Sequence, residues 1–228
     1  MSNLSGVQSI SAAALTRVLS PPRLDAYRLS PNDTPRILIG RYRWNVALSR
    51  SLYAPLGYLE VAFRNSLHDA LAASFRLPAW YDCSPAWLLA REQEAIRIAK
   101  AELQKRNVPI EPGRLVAELS FGFWTSLLSR SYEQVIWPRL LKPVFPYMPR
   151  RDRTRHRVAD RMHQVRKLRN RVFHYEPIWH WKDLPLHHAT LEETIGWFEP
   201  ALSRILPDVH TFSEVHAKGS TAFELDVQ

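Results

Sequence analysis

The chain has 228 residues, enough for one large domain with a core that needs no disulfide or metal. It is 46% hydrophobic and 23% charged, which excludes wholesale disorder, and its single cysteine, Cys83, excludes a disulfide framework or a cysteine-based zinc cluster. The formal net charge is +9, with 25 Arg and 6 Lys, and Arg is the cation whose planar fork suits phosphate.

Seven glycines and 17 prolines predict helices with sharp stops rather than a glycine-rich β fold. The first 22 residues lack a charged start, and Arg17 interrupts their short apolar run, so they do not read as a signal peptide. No stretch reaches the ~18 uninterrupted apolar residues of a membrane span. The expectation is a soluble cytoplasmic protein without membrane association. Residues 1–30 read as an N-terminal extension with one or two short helices ending at Ser20-Pro21-Pro22.

Asn32-Asp33-Thr34-Pro35 is a helix start, with capping side chains before an early proline. One helix is predicted over about 35–50 and a second over about 52–76. In the second, Leu52, Leu56, Leu59, Phe63, Leu67, Ala70 and Leu71 form one buried stripe, with Pro55 in the first turn. Ser84-Pro85 opens a helix running to Arg106, and Asn107-Val108-Pro109 ends it. Residues 113–129 are apolar almost all round and read as a buried helix. A short helix near 131–141 leads into a proline-rich link, Pro143 to Pro149. A basic helix follows over about 151–175, then a last helix over 187–206. No segment alternates as a strand does, so the fold class is all-α, a bundle of antiparallel helices over 31–207 with a loose tail at 208–228.

Residues 150–171 hold 10 basic and 2 acidic side chains, so this segment supplies most of the excess charge. Arg150, Arg151, Arg153, Arg155, Arg157, Arg161, Arg166 and Arg171 are the candidate nucleic-acid contacts. A solvated basic helix face would read the same way. On a wheel of 100° per residue, Val158, Met162, Val165, Val172 and Phe173 share one apolar stripe, and Arg169 falls at its centre. A guanidinium there needs an internal carboxylate or a ligand. His174 lies five residues on, about 140° around an ideal helix, and Pro177 ends the helix near Tyr175. Asn170 stands one turn before His174. A frayed helix end or a second chain would be needed to bring the imidazole and the guanidinium together.

Three segments resemble a known family. They are Leu56-Gly57-Tyr58-Leu59-Glu60-Val61-Ala62-Phe63-Arg64-Asn65, then Leu119-Ser120-Phe121-Gly122-Phe123-Trp124, and Arg169-Asn170-Arg171-Val172-Phe173-His174 with Pro177-Ile178-Trp179. The last is similar to the R-x4-6-H motif of HEPN domains, and the wider pattern resembles the Abi-like (abortive infection) proteins of that superfamily. The resemblance implies a HEPN-like bundle with additional helices. It implies a metal-independent endoribonuclease, with no cofactor, whose composite site forms across a homodimer in phage defence or as a toxin. Arg169 and His174 take the motif's catalytic places, with Asn170 as their polar neighbour. RNA is the implied substrate, and an antitoxin or regulator is the further partner such a role implies. Many HEPN domains are not catalytic, so a nucleic-acid-binding or regulatory module dimerising through the same helix is the alternative.

The chemistry is coherent without the family. RNA carries its own nucleophile, the 2′-OH. An imidazole can take that proton, and an arginine can stabilise charge developing on the phosphate. Around this pair, Glu60, Arg64 and Tyr175 are candidate supporting residues. Glu60, Arg64 and His68 recur at four, and Glu60 is placed to pair with Arg64, either as a plain helix-surface salt bridge or to aim it at phosphate. His174, His180, His187 and His188 are dense but lack zinc-site spacing. Trp179, Trp181 and Trp197 suit base stacking or a core.

Overall fold

A computed structural model describes residues 11–83, 87–209 and 211–225. The described residues form helices and the turns between them, and none forms a strand. In chain order the helices are α1 (Ala12–Leu19), α2 (Pro21–Asp25), α3 (Pro35–Phe75), α4 (Ala90–Lys105), α5 (Pro112–Glu118) and α6 (Phe121–Ser126). They continue with α7 (Trp137–Val144), α8 (Arg155–Phe173), α9 (Leu184–Gly196), α10 (Pro200–Ile205) and α11 (Phe212–Lys218). The chain folds as two compact units. The first comprises Met1–Tyr53, Asn170–Leu186 and His210–Gln228; the second comprises Ala54–Arg169 and His187–Val209.

Several predicted boundaries move. The helices expected over 35–50 and 52–76 are one 41-residue helix, α3, with Pro55 inside it. An interior proline costs about 3 kcal/mol. Leu48 and Leu52 before it and Leu56 and Leu59 after it are each at most 1% exposed. At ~1.5–3 kcal/mol per buried side chain, that burial outweighs the proline. The helix expected over 113–129 is two, α5 and α6, because the Ser120 hydroxyl accepts the Phe123 amide at 3.2 Å and starts a new helix. Residues 187–206 likewise divide at Glu199, whose carboxylate caps the Ala201 amide ahead of α10. Pro143 lies within α7 rather than opening a link. The Ser84-Pro85 helix start lies outside the described residues.

In the first unit, Thr34 caps α3 as the sequence predicts, its hydroxyl accepting the Ile37 amide at 3.4 Å. Asp33 accepts the Leu29 and Ser30 amides at 2.7 and 2.9 Å and pairs with Arg41 at 2.5 Å. Arg41 also donates to the Tyr27 carbonyl and lies 5.3 Å over the Trp179 ring, which stacks on Tyr27. The described residues of the tail pack on α3. Trp44 Nε1 donates to the Val215 carbonyl in α11 at 2.9 Å, and Arg36 pairs with Glu224 at 3.0 Å. A Cβ at Gly40 would lie 2.7 Å from Glu224 Cγ, so the close approach of the tail requires glycine there.

The Arg41 hydrogen bond, then the two amides, hold the Asp33 carboxyl down at about 2. A carboxyl in the unfolded chain titrates near ~3.9. This group therefore contributes stability that is complete above about pH 4 and is lost as pH falls toward 2. An acid titration followed by tryptophan fluorescence should show that loss, and Asp33→Asn should flatten it. Identical acid profiles for the two proteins would exclude the pairing as its source.

In the second unit, Leu56, Leu59, Phe63, Leu67, Ala70 and Leu71 are buried, as the stripe predicts. Phe63 meets Phe121 edge-on and stacks on Phe145, and Phe145 packs on Phe198. Burial holds the His68 imidazole below its ordinary value, and Nδ1 accepts the Trp80 indole at 2.9 Å. Glu92, 2% exposed, is satisfied by the hydroxyls of Ser126 and Tyr132 and by Arg91. Burial pushes the Tyr132 phenol up to about 12, so it stays a donor to Glu92.

Candidate functional site

Thr154 caps the start of helix α8, its hydroxyl accepting the Arg157 amide at 3.3 Å. Val158, Met162, Val165, Leu168 and Val172 are buried along it, while Phe173 is half-buried and stacks on Tyr53 at 4.9 Å. Leu168 widens the stripe beyond the predicted set.

Arg169 belongs to the second unit. Its Nε lies 3.4 Å from a Glu60 carboxylate oxygen, with 26% and 22% of the two side chains exposed. The internal carboxylate that its place on the stripe calls for is therefore Glu60 of α3. Glu60 pairs with Arg169 rather than with Arg64 as the four-residue spacing suggests. Arg64 is half-buried, and its Nε has no hydrogen-bond partner among the described residues.

Asn170, His174 and Tyr175 belong to the first unit. The His174 amide still bonds to the Asn170 carbonyl at 2.9 Å. Beyond it, the Tyr175 amide bonds to Val172 and the Glu176 amide to Arg171, with Tyr175 at φ +56°. This is a Schellman end, and the left-handed position usually held by glycine carries a tyrosine that is 69% exposed. A bulky residue in that conformation costs roughly 1–2 kcal/mol. Asn170 and His174 are also exposed.

Asn45, buried at 2%, fixes the chain that follows. Its carbonyl oxygen accepts the Ile178 and Trp179 amides at 2.7 and 3.2 Å, and its Nδ2 donates to the Glu176 carbonyl at 3.5 Å. Sequence reasoning passed over Asn45, although a polar residue seven before Leu52 on an apolar stripe was the available signal. Asn45→Leu leaves two amides without acceptors and should lower stability by about 2–4 kcal/mol. Denaturant unfolding measures this, and a loss under 1 kcal/mol would remove Asn45 as the anchor.

The eight candidate phosphate-binding arginines occupy different settings. Arg150 and Arg157 are exposed, and Arg151 is exposed beside Asp152. Arg153 donates to the Pro146 and Met148 carbonyls. Arg155 donates to the Leu128 carbonyl at 2.9 Å and lies 3.3 Å from Glu133. Arg161 pairs with Glu193 at 2.7 Å and covers Trp197. Arg171 pairs with Glu176 at 3.4 Å and lies over Trp181. Arg166 is half-buried and shows no ion pair among the described residues. Trp179 and Trp197 are thus packing residues within their own units.

His188 is buried beside Glu192, and His180 is exposed. Among the described residues no three His, Cys, Asp or Glu side chains converge as metal ligands, and no helix is long and apolar enough to cross a membrane. No family model, curated protein or solved structure matches the chain.

Proposed function

We propose that the chain is a metal-independent endoribonuclease of HEPN type, acting in phage defence or as a toxin. Its site would be built on Arg169 and His174, with Asn170 beside them. One observation carries the reading. A guanidinium braced by Glu60 precedes, by five residues, an exposed imidazole at a strained helix end.

In this reading His174 takes the proton of the ribose 2′-OH, whose oxygen attacks the adjacent phosphorus as the bond to the 5′ oxygen breaks. Arg169 stabilises the charge that develops on the phosphate. His174 from a second copy returns a proton to the leaving 5′ oxygen. Five residues set Arg169 and His174 about 140° apart on an ideal helix, which is why a site shared between two copies is proposed. Arg150 and Arg157, and Arg151 beside Asp152, are exposed and placed to meet further phosphates.

The test is purified protein on mixed RNA with EDTA present. The expected products carry a 2′,3′-cyclic phosphate and a 5′-hydroxyl, and DNA of the same sequence resists. Cleavage that needs added metal, or cleavage of the DNA strand, would overturn the reading.

A second reading has its own observation. Glu60 already supplies the carboxylate that a purely structural Arg169 needs. That favours a non-catalytic nucleic-acid-binding module.

A further inference from the structure

We propose that the second unit holds a separate binding site for a phosphate monoester of about mononucleotide size. The site is a cavity of about 370 Å³ between α8 and the chain around the end of α6. It stands independently of the ribonuclease reading, because it needs neither Arg169 nor His174.

One face of α8 builds the cavity. Arg155, Ala159, His163 and Arg166 line it, and at 100° per residue they fall within about 80° of one another. Ala159 is the short side chain in that group, and the hollow forms beside it. Across from them stand Arg91 and Ser129.

Charge and hydrogen bonding select the ligand. Three guanidiniums line the cavity against a single carboxylate, Asp160, which lies 3.3 Å from His156. Glu92 and Glu133, the partners of Arg91 and Arg155, do not line it. Glu92 is moreover already satisfied by two hydroxyls. Arg166 lines the cavity and shows no ion pair among the described residues.

One buried donor at the wall, the Ser129 hydroxyl, also lacks a hydrogen-bond partner among the described residues. Buried polar atoms are rarely left so without a ligand or water to meet them. Guanidiniums with a hydroxyl and an imidazole suit a dianionic phosphate, which accepts several charge-assisted hydrogen bonds at once. The volume falls within the ~300–1,000 Å³ of small-molecule sites, so more than a bare phosphate fits.

The phosphate can come from a free nucleotide or from the 5′ end of a strand. Titration calorimetry of the full chain at low salt separates these sources, using AMP, adenosine, and a trinucleotide with and without a 5′-phosphate. AMP is expected to bind, and adenosine to bind at least about tenfold more weakly, the worth of one charge-assisted hydrogen bond. Arg166→Gln should weaken AMP by a similar factor, and Ser129→Ala by less. Preference for the 5′-phosphorylated trinucleotide over AMP assigns strand ends, and the reverse assigns the free nucleotide. Equal affinity for AMP and adenosine, no AMP binding at millimolar concentration, or unchanged AMP binding by Arg166→Gln of native circular dichroism would each overturn the site.

Discussion

Replacing His174 with alanine is expected to lower RNA cleavage by about 10²–10⁴, the usual worth of a general base. Folding should be untouched. The imidazole is exposed, and only the His174 backbone takes part in the helix end, through its amide bond to Asn170. RNA affinity should also persist, because the phosphate contacts proposed above are Arg150, Arg151 and Arg157 rather than this ring. A gel-based cleavage assay and a binding assay at one salt concentration, on protein with native circular dichroism, give both readouts. Retained binding with lost cleavage identifies the enzyme. Cleavage by folded His174→Ala at the parent rate would end the assignment, and a parent chain that binds RNA without cutting it would leave the binding module.

Legibility in the sequence followed the range of the forces involved. Local signals placed the start of α3 at Thr34-Pro35, the buried stripe from Leu56 to Leu71, and the end of α8 before Pro177. Single residues misled where burial opposed them. Pro55 looks like a helix start, yet the leucines on either side carry α3 through it. Ser120 looks like an ordinary small residue in an apolar run, yet its hydroxyl caps the start of a new helix. The position of Arg169 on an apolar stripe demanded a partner. No local pattern could name Glu60, 109 residues away, because the wheel of α8 contains no information about α3. The left-handed Tyr175 was equally hidden, since sequence rules expect glycine at that position. The cavity beside Ala159 depends on which side chains face α8 from elsewhere in the chain, so no motif announces it.

The Arg169–Glu60 pair separates structural from catalytic need, and its expected outcomes differ for the two. Both side chains are about three-quarters buried, so removing one strands the other's charge. Arg169→Ala should cost about 1–3 kcal/mol of stability and at least ~10² in cleavage. Glu60→Gln should cost less of each, because the guanidinium remains and loses only its brace. Replacing both, as Arg169→Met with Glu60→Leu, removes the charges together. Paired apolar substitutions of this kind are often neutral, so most of the stability lost in Arg169→Ala should return. Cleavage should not return, because the guanidinium proposed to meet the phosphate is gone. Denaturant unfolding and the cleavage assay on the same four proteins decide the matter. If stability and cleavage recover together in the double variant, Arg169 serves only the fold, and any chemistry would then lie elsewhere.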